Sequence, residues 1–186
     1  MSKLLYSATM SLDGFIAGAG GDMSWLSAYV GASSPASEAG SGIDVEELMA
    51  GIGALLIGHR TFTGDDPNKG TESEGAFGGR WQGPSVVLSH SPAPDGLGDD
   101  VTFASDLATA VDLAKRAAGG RYVNVLGANV AEQCLQAGLL DEILVIVAPV
   151  LLGDGTRLFQ HAGGTNVALE RIGAKDASIL WYRISR

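Results

Sequence analysis

The sequence is poor in cysteine, in charged residues and in long apolar runs. Its 186 residues include one cysteine, so no internal disulfide can form, and the protein is expected in the reducing cytoplasm. Cys134 falls on the apolar side of a predicted helix, where packing is favoured over catalysis. No apolar run reaches membrane-spanning length, and no signal peptide is apparent. The spacing of His and Cys residues predicts no metal site.

Basic residues are scarce as well. The chain has 12 Lys and Arg residues and 21 Asp and Glu residues, which gives a net charge of −9. This balance argues against binding to nucleic acid or to an anionic membrane. A phosphate-bearing ligand would need a local basic pocket. Apolar residues make up 46% of the chain, enough for a sizeable core. The length predicts a single domain over residues 1–186.

The stretch 121–159 has the pattern of a parallel βαβ unit. A short apolar run stops at Gly127, and apolar residues then recur at helical spacing until Gly138 ends the helix. The almost wholly apolar run 143–147 predicts a strand covered on both faces. Free N–H groups at the helix start attract phosphate, and Gly127 would let a ligand approach the backbone. A simple glycine turn is the alternative, because the G-x-G-x-x-G fingerprint is missing.

The rest of the chain predicts more strands and two further polar junctions. Asp106 is the expected N-cap of a helix that ends near Ala118. Gly58 ends a buried strand and is followed by a basic turn, and the strand 85–88 ends at Ser89. An exposed basic turn without a ligand is the alternative for the first junction. Strands are predicted at 3–11, 15–17, 54–57, 85–88, 101–103, 167–172 and 178–184, the last two as an antiparallel pair. An α/β fold with a mixed, mostly parallel central sheet flanked by helices is the natural architecture.

Two carboxylates and one tryptophan have competing interpretations. Asp44 and Glu47 match a capping box, a structural role that competes with any catalytic use. Trp25 is either a core anchor or a wall of a substrate pocket. The segment 18–21, with three glycines in four residues, predicts a flexible loop.

Together with SLDGFIAG near the start, these segments resemble the dihydrofolate reductase superfamily. The chain is more closely similar to the reductase domain of bacterial riboflavin biosynthesis. The matching pieces, which follow the family's order over nearly the whole chain, are ATMSLDGFIAG, LLIGHRTF, PSVVLSH and VNVLGANVAEQCLQAGLLDEILVIVAPVLLGDGTRLF. The resemblance implies a dihydrofolate reductase-like fold and a homodimer. It also implies NADPH-dependent hydride transfer to a small heterocyclic, pterin- or pyrimidine-like substrate.

The resemblance also implies the cofactor site, residue by residue. His59 or Arg60 would face the ribose 2′-phosphate, which favours NADPH over NADH, and the segment 18–23 matches the lid loop. The matched cofactor residues are Ile16 and Ala17 beside the nicotinamide, Gly58, His59, Arg60 and Thr61 at the phosphates, Leu88, Ser89 and His90 on the adenosine side, and Leu126, Gly127, Ala128, Asn129 and Val130 beneath the pyrophosphate and nicotinamide.

The substrate and proton-transfer groups are less defined by the resemblance. Phe15, Trp25 and Met49 are the implied walls of the substrate pocket. Asp13 is a candidate proton donor, with bound water and a structural role in the turn before Gly14 as alternatives.

The sequence departs from the family pattern in three respects. Dihydrofolate reductases carry a carboxylate soon after the lid-loop tryptophan, and positions 27–30 supply none, which argues against folate as the substrate. Leu126 stands in place of the first glycine of the usual Gly-Gly turn. The zinc signature of the deaminase domain attached to the riboflavin enzymes does not occur.

Two rival functions remain open from the sequence. A cofactor-binding protein that has lost catalysis would also bind NADPH but would not consume it. A structural dimerisation module would use the apolar run 143–152 as an interface strand, although that role leaves the basic turn at His59 and Arg60 unexplained.

Overall fold

The computed structural model describes residues 1–29, 45–64, 70, 75–173 and 178–185. The strands are β1 Leu4–Ser11, β2 Phe15–Ala17, β3 Ile52–Gly58, β4 Ser85–Leu88, β5 Val101–Ala104, β6 Tyr122–Leu126, β7 Glu142–Ala148, β8 Thr156–Arg157, β9 Leu169–Gly173 and β10 Ile179–Ile184. The helices are α1 Val45–Gly51, α2 His59–Thr63, α3 Leu107–Ala117 and α4 Ala128–Gln136.

Eight of the strands form one sheet in the order β5-β4-β3-β6-β1-β7-β10-β9. The pairs from β5 through β7 are parallel, whereas β10 and β9 pair antiparallel at one edge. β2 and β8 form a separate two-stranded sheet. The predicted mixed, mostly parallel sheet and the terminal antiparallel pair are therefore confirmed.

One face of the large sheet packs against α3 and α4. The alternation of β1 sends Leu4 and Tyr6 to this face, where they join the buried face of α4 around Val130 and Cys134. Cys134 is fully buried in this cluster, which confirms its predicted packing role, and burial raises the pKa of its thiol to about 12.

The opposite face lies under α1 and α2. Leu48 of α1 packs with the clusters around Leu5 and Leu55, and Phe62 of α2 packs with the latter. Because successive residues of a strand point to opposite faces, this face receives the odd-numbered residues of β1. We call it the α1 face.

Local signals in the sequence explain the helix ends. The Asp106 carboxylate accepts a hydrogen bond from the backbone N–H of Thr109 at 2.9 Å, which confirms the predicted N-cap of α3. Ala137 caps the end of α4, and Gly138 follows at a φ of 67°, in the left-handed conformation that glycine adopts readily.

Three details differ from the predictions. The segment 18–23, predicted as the lid loop, contains a 3-10 turn at Ala19–Gly21, and a second 3-10 turn follows it at Ser24–Ala28. The run 143–152 is not one interface strand, because its first six residues lie in β7, hydrogen-bonded on both sides inside the sheet. The pairing of β2 with β8 was not predicted. Asp44, half of the proposed capping box, lies outside the described residues.

A buried carboxylate stabilises the amino-terminal edge of the sheet. Glu142 is 1% exposed and accepts hydrogen bonds from Lys3 Nζ at 2.9 Å, the Tyr122 hydroxyl at 2.8 Å and Trp181 Nε1 at 3.1 Å. Burial by itself raises the pKa of Glu142, but these hydrogen bonds outweigh it and lower the pKa. The ionised carboxylate therefore joins β1, β6, β7 and β10.

Two properties of the described residues bear on function. None of the helices there has the length and apolar character needed to cross a membrane. Within the same part of the chain, no group of three or more His, Cys, Asp or Glu side chains is arranged to hold a metal ion.

Candidate active site

Three neighbouring strands end side by side at the carboxyl edge of the sheet. In the parallel register, Gly58 of β3 lies opposite Leu88 of β4, and Ile57 lies opposite Leu126 of β6. The turns that follow these strands therefore open at the same edge, where ligands of open α/β sheets bind.

Two glycines bring the central pair of turns into close contact. Gly127 has a φ of 103°, and a methyl group on it would collide with the hydroxyl oxygen of Thr61. A methyl group on Gly58 would stand 3.0 Å from Cγ2 of Val130, the buried anchor of α4. The backbones after β3 and β6 thus approach more closely than side chains at these positions would allow.

The basic residues lie at the start of α2. His59 is half-buried and its carbonyl accepts a hydrogen bond from the Thr63 hydroxyl at 2.9 Å, whereas the side chains of Arg60 and Thr61 are exposed. Thr61 does not cap the helix, because Gly58 occupies the N-cap position. Two potential cations and a hydroxyl therefore flank the paired glycines at an edge open to solvent.

The outer residues of the predicted cofactor site have mixed environments. The Ser89 hydroxyl is engaged in its own turn, since it donates to the carbonyl of Ser91 and accepts from the N–H of Ser91, both at 3.0 Å. The side chain of His90 is exposed. Asn129 is exposed, and its Oδ1 accepts from Gln133 Nε2 at 2.8 Å. Ser89 therefore shapes the turn, while His90 is accessible to a ligand.

Asp13 binds together the turn after β1 and the loop before β8. It accepts hydrogen bonds from the Ser11 hydroxyl at 2.5 Å and from the N–H groups of Leu152 at 3.2 Å and Gly153 at 2.7 Å. The hydrogen bond from Ser11, followed by those from the backbone, lowers the pKa of Asp13 to about 2. The carboxylate is ionised at neutral pH, which favours its structural role over proton donation.

The predicted substrate walls lie on three different elements. Phe15 of β2 is 5% exposed, with the guanidinium of Arg157 4.5 Å from the centre of its ring. Trp25 lies in the second 3-10 turn, and its buried Nε1 has no hydrogen-bond partner in the described structure. Met49 is half-buried on α1. Phe15 is therefore anchored by packing, while Trp25 retains an unused donor.

Sequence reasoning missed a polar pair on the α1 face. The Ser7 hydroxyl donates to Oδ1 of Asn124 at 2.8 Å, between β1 and β6. Asn124 is fully buried. The signal was present in the sequence, because an asparagine interrupts the apolar run YVNVL.

A mostly parallel sheet in which β3 and β6 both end in glycine turns, the first followed by His59 and Arg60, is the arrangement expected of the dihydrofolate reductase-like α/β class. The chain belongs to the RibD C-terminal domain family, whose model matches residues 2–179. The predicted resemblance and the predicted oxidoreductase class are therefore confirmed.

Solved structures share the fold over the whole chain. A protein from Shewanella sp. PV-4, described as a riboflavin biosynthesis protein, is 24% identical with a TM-score of 0.68, over 100% of both chains. The riboflavin biosynthesis reductase Rib7 of Saccharomyces cerevisiae is 18% identical with a TM-score of 0.60, over 100% of this chain and 90% of that one. A search of curated proteins gave no match.

A bifunctional enzyme shares the fold over part of its length. This is the diaminohydroxyphosphoribosylaminopyrimidine deaminase/5-amino-6-(5-phosphoribosylamino)uracil reductase of Thermotoga maritima. It is 18% identical with a TM-score of 0.60, and the match covers 98% of this chain but only 56% of that one. At these identities the likeness concerns the fold.

Proposed function

We propose that the protein is an NADPH-dependent reductase that transfers hydride to a small heterocyclic substrate of the pyrimidine or pterin type. Membership of the RibD C-terminal domain family supports the reaction class. The observation that carries the cofactor assignment is that the turns after β3, β4 and β6 open at one edge of the sheet, with His59 and Arg60 at the start of α2 beside them.

The residues present fit a phosphorylated dinucleotide. Backbone N–H groups at the start of α4 and the hydroxyl of Thr61 are donors for phosphate oxygens. Arg60 and His59 provide a local basic group in a chain whose net charge is −9, and Arg suits bidentate binding of a 2′-phosphate. NADPH would supply the hydride from its nicotinamide ring, and the protein would supply orientation and a pocket that excludes water.

Asp13, the candidate proton donor considered from the sequence, is poorly suited to protonate the substrate. Asp13 remains ionised because its pKa is about 2 and its oxygens are occupied by three hydrogen bonds. We therefore assign proton delivery to a bound water, and assign to Asp13 the task of holding the β1 turn against the loop at Leu152 and Gly153.

The proposal is tested by separating cofactor binding from turnover. Isothermal titration with NADPH and with NADH measures binding, and absorbance of the reduced nicotinamide measures consumption in the presence of 5-amino-6-(5-phosphoribosylamino)uracil or a dihydropterin. Tighter binding of NADPH together with its consumption supports the reductase. Binding without consumption in a screen of such heterocycles would favour the rival, a cofactor-binding protein without catalysis.

We also propose a cytoplasmic homodimer. Leu12 and Leu151 are 67% and 69% exposed, and the turns that carry them are joined by a 2.8 Å hydrogen bond from the N–H of Leu12 to the carbonyl of Val150. Two large exposed apolar side chains on adjoining turns favour contact with a second copy.

A further inference from the structure

Asn124 is a buried amide in an apolar part of the sheet. It is 0% exposed, at the centre of β6. Its partners in register are Leu5 of β1 and Leu55 of β3, both fully or almost fully buried. Leu48 of α1 packs against both of these leucines' clusters, so α1 covers this part of the sheet. A carboxamide in such surroundings destabilises the fold unless its polar atoms find partners.

Within the described structure, only one of the two polar atoms of this amide has a hydrogen-bond partner. Oδ1 accepts the hydrogen bond from the Ser7 hydroxyl, whereas Nδ2 is buried and has no partner among the described residues. The hydrogen bond to Ser7 fixes the orientation of the carboxamide, and its two buried N–H groups have no acceptor among the described residues.

The unused donor lies below the candidate cofactor turn. Asn124 precedes Leu126 by two residues on the same face of β6, a distance of about 7 Å along a strand. On β1, the α1 face carries Ser7 and Thr9 toward the same carboxyl edge, and both are half-buried. Two polar side chains of β1 therefore lie on the α1 face between Asn124 and the carboxyl edge of the sheet. The other face of β1 carries Tyr6 and Ala8 at this level.

We propose that Ser7 and Asn124 recognise the polar edge of the substrate. Asn124 Nδ2 donates to a hydrogen-bond acceptor on the heterocycle, a ring carbonyl oxygen or an unprotonated ring nitrogen, and Ser7 is the positioning residue that holds the amide. The inference rests on the proposed reductase function and specifies its substrate class. A ligand with an apolar edge binds more weakly than one with an acceptor there, because it leaves the N–H groups unpaired, as they are in the free protein.

The test uses Asn124→Leu, which keeps the size of the side chain and removes both polar atoms, and Ser7→Ala. The probe is 5-amino-6-(5-phosphoribosylamino)uracil, with NADPH at saturation. Asn124→Leu is expected to raise the KM for the pyrimidine about tenfold and to leave kcat and the KM for NADPH unchanged. Ser7→Ala is expected to raise the KM for the pyrimidine about threefold. Ser85→Ala, a buried hydroxyl at the start of β4, is the matched control and is expected to leave all constants unchanged.

Thermal unfolding and NMR distinguish recognition from a structural role. The melting temperature of free Asn124→Leu is expected to equal or exceed that of the wild type, because an unpaired buried amide has been removed. The side-chain amide signals of Asn124, assigned by their loss in the variant, are expected to shift when the pyrimidine binds.

The other possible results contradict either the role of Asn124, the substrate class or the reductase function itself. An unchanged KM in Asn124→Leu, or amide signals that stay in place while the probe binds, overturns the role of Asn124 and leaves the reductase intact. A strongly lowered melting temperature with an unchanged KM shows a structural amide. A wild type that binds NADPH but not the pyrimidine overturns the substrate class, whereas a wild type that does not bind NADPH overturns the proposed function itself.

Discussion

The hydroxyl oxygen of Thr61 lies where a side chain on Gly127 would have to stand. These residues are 66 positions apart in the chain, and the parallel register of β3 with β6 brings the turns that hold them together. Because Gly127 also has a φ of 103°, two independent constraints require glycine at this position.

We predict that Gly127→Ala destabilises the fold by about 2–4 kcal/mol and abolishes measurable NADPH binding, because the methyl group displaces Thr61. Urea unfolding and isothermal titration measure the two effects. Gly138→Ala is the matched control, since Gly138 also has a positive φ of 67° but has open space around it. Gly138→Ala should lower the free energy of unfolding by about 1 kcal/mol and leave NADPH affinity unchanged. Equal binding by both variants would contradict the placement of the cofactor.

Arg60→Ala is expected to weaken NADPH binding about tenfold or more, with a smaller effect on NADH, because the exposed guanidinium faces the 2′-phosphate in the proposed site. Titration of both nucleotides at low and high salt provides the measurement. Arg121→Ala is the control, because Arg121 is an exposed arginine just before β6, at the opposite edge of the sheet. If the preference for NADPH survives in Arg60→Ala, His59 becomes the candidate for the phosphate contact.

Asp13→Asn tests the structural assignment of Asp13. The pKa in the folded protein, about 2, lies below the ordinary value of 3.8, so ionised Asp13 stabilises the fold above the ordinary pKa. This stabilisation is lost as the pH falls through about 2. The variant should therefore be less stable than the wild type at neutral pH, and in urea unfolding curves the difference should narrow as the pH falls below 3.8 and vanish only below about pH 2.

The turnover of Asp13→Asn gives the second half of that test. If water delivers the proton, folded molecules of the variant retain kcat within about threefold. A fall of two or more orders of magnitude in kcat, with an intact fold, would instead restore Asp13 as the proton donor.

Glu142→Gln should destabilise the protein by about 2–3 kcal/mol without changing NADPH affinity, since Glu142 lies at the edge of the sheet opposite the candidate site. The amide nitrogen of glutamine would face the donors that the carboxylate now satisfies. Glu170→Gln is the control, because Glu170 is 63% exposed and pairs with Arg183 at 3.6 Å, the same arginine that approaches Glu142. It should change stability by less than about 0.5 kcal/mol.

Leu12→Glu combined with Leu151→Glu should convert the proposed dimer to a monomer, measured by light scattering after size exclusion. Two charges on the exposed apolar patch oppose self-association. If the double variant remains a dimer, the interface does not include Leu12 and Leu151. If the wild type is monomeric at high concentration, the proposed dimer is wrong.

Local patterns predicted most of the fold. The apolar run of β6, the turn at Gly127 and the glycine after α4 predict two parallel strands joined by a helix, and Asp106 marks the start of α3 in the same way. The insertion of β1 between β6 and β7 could not be predicted from neighbouring residues. The sequence predicts that the turns holding Gly127 and Thr61 lie at the same edge of the sheet. It does not predict the contact between these two residues, because that contact depends on the order of the strands.

Other features depend on residues far apart in the chain. β8 has two residues and pairs with β2 across the tight approach of Gly155 to Ala17, so no local periodicity identifies it. Ser7 and Asn124 are separated by 117 residues, and each alone resembles an ordinary polar residue. Only the register of β1 with β6 shows that they form a pair and that one amide nitrogen is left over.

The position of β1 has a consequence for how the protein is made. β1 lies between β6 and β7, so Leu4 pairs with Val123 and Leu5 with Glu142, more than a hundred residues later in synthesis. On the ribosome, one edge of β1 therefore stays uncovered until β6 has been made at residue 126, and the other until β7 has been made at residue 148. A central strand whose partners are so distant in the chain pairs late, and its apolar residues are exposed to aggregation until it does.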